Sequence, residues 1–154
     1  MSGKLTITAF TAILLVSLAS GDLGQSIRQS VSGAEVAGTF RMPLTGKFKG
    51  SANEIRIAAL GNGKIRVAFD LLYPYTMGNG EPMVNLGNAD GAADIAGDTA
   101  VFSSNEGTCK IRIKFLRPGI IKVSQEGTDA DCGFGANVTA DGTYRKIDSK
   151  KPRF

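Results

Sequence analysis

The stretch Cys109-Lys110-Ile111-Arg112-Ile113-Lys114-Phe115-Leu116-Arg117-Pro118-Gly119-Ile120-Ile121-Lys122-Val123-Ser124-Gln125 decides the fold. Cys109, Ile111, Ile113 and Phe115 fall on one face, and Lys110, Arg112 and Lys114 on the other. Alternation of apolar and polar residues is the signature of a strand buried on one side. Arg117-Pro118-Gly119 supplies a turn, and Ile121, Val123 and Gln125 return. Folding about Pro118 sets Cys109 opposite a position near residue 127, with Cys132 a few residues beyond.

Working outward, the signal repeats. Ile55 and Ile57 alternate with Arg56 and Ala58, and Gly61-Asn62-Gly63 follows. Asn-Gly favours a tight hairpin because both residues tolerate positive φ. Ile65, Val67, Phe69, Leu71 and Tyr73 then alternate with Lys64, Arg66, Ala68, Asp70 and Leu72. Tyr73 to Pro82 contains Pro74 and Pro82 and reads as a loop. Met83 to Leu86 reads as a short strand, and Ala92 to Ala96 with Thr99 to Ser103 as a hairpin about Gly97-Asp98. Phe134, Ala136 and Val138 alternate again as a strand, Asp141-Gly142 turns, and Thr143-Tyr144-Arg145 closes the domain.

Consecutive hairpins with one apolar face predict an all-β fold. The expected form is an antiparallel meander of about eight to ten strands, closed into a small barrel or split into a sandwich. Closure is favoured because it removes exposed edges. The expected organisation is a single β domain over 37–147, a polar linker over 22–36 with at most a short helical turn, and a basic tail over 148–154. Period two places Ile55, Ile57, Ile65, Val67, Phe69, Ile111, Ile113, Phe115 and Val123 inside. It places Arg56, Arg66, Lys110, Arg112 and Lys114 outside.

Residues 1–21 have the three parts of a signal peptide: Lys4, an apolar run densest from Ala9 to Val16, and the small-residue sites Ser17-Leu18-Ala19 and Ala19-Ser20-Gly21. A membrane anchor is the alternative, but a spanning helix needs roughly 20 mostly apolar residues. This run is shorter and broken by Thr6, Thr8 and Thr11. Asp22 stands where a lipoprotein would carry its lipidated cysteine. The mature chain is expected to be exported, periplasmic or extracellular, with no transmembrane segment. Export permits a disulfide, and Cys109 and Cys132 are the chain's 2 cysteines. A bond between them closes a loop whose chain entropy stabilises by roughly 3 kcal/mol; two free thiols are the alternative.

The sequence carries 18 Lys+Arg, 14 Asp+Glu and no His. Without the leader, which holds Lys4, the charge is 17 minus 14, or +3. This mild excess does not argue for nucleic acid. The lack of histidine removes Ser-His-Asp and Cys-His catalysis and leaves zinc and copper without their commonest ligand. The expectation is therefore a protein that is not an enzyme, with no metal or other cofactor and no nucleic-acid partner.

Lys110, Arg112 and Lys114, with Lys122 across the hairpin, form a positive stripe, and Arg56, Lys64 and Arg66 give the first hairpin a similar face. These residues are a candidate anion-binding face for an envelope polymer. The alternative is a solvated outer wall that blocks edge pairing. Two acidic stretches, Asn88-Ala89-Asp90-Gly91 with Asp94, and Glu126 with Asp129 and Asp131, read as turn chemistry in loops. The first lacks the spacing and closing Glu of a calcium loop. Asn137-Val138-Thr139 fits a glycosylation sequon inside a predicted strand.

Cys132-Gly133-Phe134-Gly135 followed by Asp141-Gly142-Thr143-Tyr144-Arg145 resembles a group of uncharacterised small secreted bacterial all-β proteins ending in Cys-Gly and Asp-Gly-Thr-Tyr. The resemblance implies export and an all-β fold, and no activity. A more distant similarity is to the C-type lysozyme inhibitors, small eight-stranded barrels of the bacterial envelope. Their inhibitory loop is of the type Ser-Gly-Ala-Lys/Arg-Tyr, whereas this chain has Ser32-Gly33-Ala34-Glu35-Val36, with Glu and Val in place of the cation and the aromatic. Three functions are therefore expected to compete. One is a secreted, non-enzymatic binding protein using a barrel mouth or the positive face. The second is an inhibitor of lysozyme or a similar secreted hydrolase. The third is a hydrolase using carboxylates only, which needs two acids converging in a pocket.

Overall fold

The computed structural model describes residues 30–104 and 108–154. The chain begins with a one-turn helix, α1 (Gly33–Val36), and continues through β1 (Gly38–Pro43), a 3₁₀ turn (Gly46–Phe48), β2 (Ala52–Gly61), β3 (Lys64–Thr76) and β4 (Pro82–Ala96). It ends with β5 (Thr99–Ser103), β6 (Lys110–Arg117), β7 (Ile120–Glu126) and β8 (Gly142–Asp148). Every strand pairs antiparallel with its neighbour in sequence, and β8 returns to β1, so the meander closes into an eight-stranded barrel. Of the two forms left open by the hairpin pattern, the barrel is the one adopted. The expected leader lies outside the described residues.

The nine residues expected inside are all buried, most of them completely. They line the axis with Phe40, Leu71, Phe102, Ile121 and Tyr144, so the interior is a packed core rather than a channel. Phe69 and Phe102 meet across it with ring centroids 5.3 Å apart, within the range where aromatic pairs add to burial.

The third hairpin forms in the expected register, with Ile113 opposite Val123 and Lys110 opposite Glu126. Cys109 and Cys132 are joined in a disulfide, with 4.9 Å between Cα atoms and a sequence separation of 23. A loop of that size corresponds to about 3.4 kcal/mol of chain entropy.

Three local readings are corrected. The loop expected from Tyr73 to Pro82 is confined to 77–81: β3 runs to Thr76, and β4 pairs with it without a break from Thr76–Pro82 down to Lys64–Asp94. Both prolines are tolerated because each faces an edge. The Leu72 N–H donates to Asn53 Oδ1 on the β2 side, and Pro74, two residues on, faces that same side beyond the end of β2. Proline is admitted in a strand where no ladder bond is needed from its nitrogen.

Met83–Leu86 and Ala92–Ala96 are likewise one strand, so Asn88 to Asp94 is no loop. Gly87, Ala89, Gly91 and Ala93 all point inward. They are small because bulky neighbours fill the space: a Cβ on Gly91 would lie 3.0 Å from the Phe102 ring.

The third correction concerns Phe134 to Val138, which belongs to the connection between β7 and β8 and not to a strand. Phe134 and Val138 are buried and Ala136 is exposed, and Asn137 takes a left-handed φ of 63°. The sequon Asn137-Val138-Thr139 is therefore in a loop. The Phe134 N–H donates to the Asp129 carbonyl at 2.8 Å, and the Gly135 N–H to the Leu86 carbonyl at 2.9 Å. The connection is thus docked on β4 beside the disulfide.

Candidate functional site

The two ends of the barrel differ. At one end lie the loops 44–51, 77–81 and 127–141 together with the disulfide. The opposite end, the mouth, carries the three tight turns Asn62-Gly63, Gly97-Asp98 and Pro118-Gly119, and α1 lies over it.

α1 exists because Ser32 and Glu35 form a capping box. The Ser32 hydroxyl accepts from the Glu35 N–H, and the Glu35 carboxylate accepts from the Ser32 N–H at 2.9 Å. Reciprocal caps satisfy two donors that a helix start otherwise leaves open. The helix is held to the barrel by the Val31 N–H, which donates to the Gly97 carbonyl at 3.1 Å. Gly33 lies so close to Ala59 that a Cβ there would be 3.2 Å from the Ala59 Cβ. Val36 is buried. The described part of the segment read as a linker is thus packed against the domain.

Between α1 and the Pro118-Gly119 turn a cavity of 410 Å³ opens. Its walls are largely apolar, with Val36, Phe40, Phe115, Leu116 and Ile121 among them, and Glu35, Asp98 and Arg117 are its charged lining residues. This size and lining are typical of small-molecule sites.

The carboxylates are already engaged. Glu35 Oε2 also accepts from the Ser32 hydroxyl at 2.8 Å, and the bonds from Ser32 hold its carboxyl below the usual range. Asp98 accepts from the Thr99 hydroxyl at 2.8 Å and faces Lys114 Nζ at 3.5 Å. The Thr99 bond, with the nearby Lys114 charge, holds the Asp98 carboxyl low as well.

Lys146, on β8, touches two residues of the cavity wall, Glu35 and Phe40. Its Nζ donates to the carbonyls of Glu35 (3.0 Å) and Ala37 (2.8 Å) and sits 5.2 Å from the centroid of the Phe40 ring. Partial burial lowers its pKa. A lysine ammonium has three donors, so one remains after these two bonds.

The seven cations read as an anion-binding face are all on the outer wall, but in two groups. Arg56, Lys64 and Arg66 lie on β2 and β3, and Lys110, Arg112, Lys114 and Lys122 on β6 and β7. In the closed strand order these pairs of strands are on opposite sides of the barrel. Five of the cations face carboxylates: Arg56 with Asp70 (2.7 Å), Lys64 with Asp94 (2.6 Å), Arg66 with Asp90 (2.6 Å), Arg112 with Glu126 (2.5 Å), and Lys114 with Asp98. The basic tail covers part of the first group. Arg66 stacks 4.6 Å from the Phe154 ring centroid, and Arg56 donates to the Arg153 carbonyl.

Asp90 and Asp94, read as part of an acidic loop, are strand residues facing these cations across β3 and β4. In the second acidic stretch, Asp129 accepts from the Ala130 and Asn137 N–H groups, and Asp131 from the Thr128 N–H and hydroxyl. Both stabilise the β7–β8 connection.

A barrel mouth is one of the sites the sequence reading allows, but that reading does not assign its lining residues to a site. Its walls come from α1, β1, the β4–β5 turn and the β6–β7 hairpin, and no local pattern announces their convergence. Comparison of the chain with protein-family models, curated proteins and solved structures finds no match. Among the described residues, no helix is long and apolar enough to cross a membrane.

Proposed function

We propose that this protein is an exported, non-enzymatic binding protein whose site is the mouth of the barrel. The carrying observation is the 410 Å³ apolar cavity between α1 and the β6–β7 turn. Proposed export rests on the leader-like residues 1–21 and agrees with the disulfide. The positive-face reading is less well supported, because carboxylates neutralise most of the cations and the two groups face opposite directions. The inhibitor reading gains nothing from Ser32 to Val36, since Ser32 and Glu35 are committed to each other in the capping box.

The test is a titration with an uncharged apolar fluorophore, N-phenyl-1-naphthylamine, on the parent and on Leu116→Trp. Leu116 lines the cavity yet is 50 % exposed, so the larger side chain fills the mouth without entering the core. Saturable binding in the parent, lost in Leu116→Trp, is expected. Equal binding by both proteins would place the probe elsewhere and overturn the reading.

A further inference from the structure

We infer that the mouth takes a single-chain amphiphile with an anionic head, its tail in the cavity and its head held by Arg117 with Lys146 beside it. The inference rests on the mouth-binding reading and names the ligand class. Apolar walls from Val36, Phe40, Phe115 and Ile121 suit a hydrocarbon chain, and each buried methylene adds favourable transfer free energy.

The head-group sign follows from which charges at the mouth remain free. Glu35 is bound twice by Ser32, and Asp98 is engaged by Thr99 and Lys114. A cationic head would have to break one of these arrangements. The guanidinium of Arg117, by contrast, has no carboxylate within ion-pair distance among the described residues. It closes β6 at the rim, with its backbone paired to Ile120. Its planar fork matches a carboxylate or a phosphate. The remaining N–H of Lys146 provides a second donor, and the bonds from Lys146 to the Glu35 and Ala37 carbonyls fix that ammonium beside the Phe40 wall.

A fatty carboxylate and a lysophospholipid both present this chemistry. The experiment therefore compares decanoate, lysophosphatidylglycerol, decanol and decylammonium. Each is kept below its micelle concentration and titrated calorimetrically into the parent, Arg117→Gln and Leu116→Trp. The parent is expected to bind at least one of the two anionic probes about tenfold or more tighter than decanol, and decylammonium most weakly. Arg117→Gln should remove about tenfold of that preference while leaving decanol unchanged, and Leu116→Trp should weaken every probe. Whichever anionic probe binds tighter identifies the head group. Equal affinity for decanoate, lysophosphatidylglycerol, decanol and decylammonium, still lost in Leu116→Trp, would overturn the anionic head and leave the mouth as the site. Absence of binding by every probe would overturn both.

Discussion

Replacing Gly87 by Ala tests the docking of the β7–β8 connection, the part of the fold least evident in the sequence. A Cβ at Gly87 would lie 2.6 Å from Val138 Cγ1 and 2.9 Å from Phe134 Cγ. Neither neighbour can retreat easily. Val138 is 1 % exposed and Phe134 7 %, and the backbone of Phe134 is tied to Asp129 close to the Cys109–Cys132 bond. Overpacking of this kind costs about 1–3 kcal/mol, and the rigidity of both neighbours puts Gly87→Ala near the upper figure. For a domain of this size that lowers the melting temperature by about 10 °C. Gly78→Ala is the control. Gly78 has open space around the added carbon and no left-handed φ, so the substitution should be neutral or stabilise by up to about 1 kcal/mol. Val138→Ala removes the closest contact. Combined with Gly87→Ala it should therefore destabilise by less than the sum of the single changes. Thermal and urea unfolding of the oxidised proteins, followed by circular dichroism, measures all four. A parent-like melting temperature for Gly87→Ala, with strict additivity in the double variant, would refute the packing of this connection on β4.

Phe69→Ala empties a fully buried site and breaks the contact with Phe102. It should cost about 3–5 kcal/mol, whereas Arg112→Ala on the solvated wall should leave stability close to that of the parent; urea midpoints of the two variants provide the comparison. With no histidine in the chain, the unfolding free energy should be flat between about pH 6 and 8. The carboxyls of Glu35, Asp98, Glu126 and Asp131 are held low by hydrogen bonds from Ser32, Thr99, Arg112 and Thr128 respectively. A carboxyl depressed in the folded state contributes stability above its unfolded pKa, and that contribution is lost as the pH falls through the folded value. Stability should therefore decline below about pH 4, and Glu126→Gln should shallow the decline. A transition centred between pH 5 and 8 would contradict this account.

The parts of the fold legible in the sequence are those where large apolar side chains alternate with charged ones. β2, β3, β6 and β7 are of this kind, and Ile55, Ile57, Ile65, Val67, Phe69, Ile111, Ile113, Phe115 and Val123 all lie inside as the alternation requires. β4 was obscured because its inner face is built from the wrong-looking residues. Gly87, Ala89, Gly91 and Ala93 alternate as regularly as Ile111 and Ile113, but small residues there make room for Phe69, Phe102 and Phe134. Composition suggested a turn, and thirteen consecutive pairs with β3 overrode it. The converse error arose at Phe134 to Val138. Alternation over so few residues also describes a loop that turns two apolar side chains inward, and only the close approach to Gly87 distinguishes the two. The disulfide was legible because the hairpin about Pro118 fixes where Cys109 lies, leaving Cys132 within reach.

The site follows a different logic. A charged stripe is visible in a sequence because the neighbours that create it are two residues apart. The carboxylates that neutralise it stand on adjacent strands, tens of residues away in the case of Arg66 and Asp90 or Lys64 and Asp94. Cross-strand pairing of opposite charges is a common means of stabilising a solvated sheet face, so a stripe alone cannot distinguish a binding face from a soluble wall. The mouth presents the reverse case. Its apolar walls come from segments that look like ordinary core, and it becomes a cavity only because α1 spans the opening without filling it. The capping box holds Glu35 to Ser32, while Gly33 against Ala59 and the bond from Val31 to Gly97 set the height of the helix above the barrel. The opposite end is built differently: the disulfide-stapled connection packs Phe134 and Val138 against β4, and a smaller cavity of 300 Å³ lies between the 44–51 loop, β3 and that connection. The proposed amphiphile would meet Leu116 and Arg117 at the rim on its way to the apolar wall of Phe40 and Phe115, and the Arg117 guanidinium, which has no carboxylate within ion-pair distance among the described residues, stands where its head would rest.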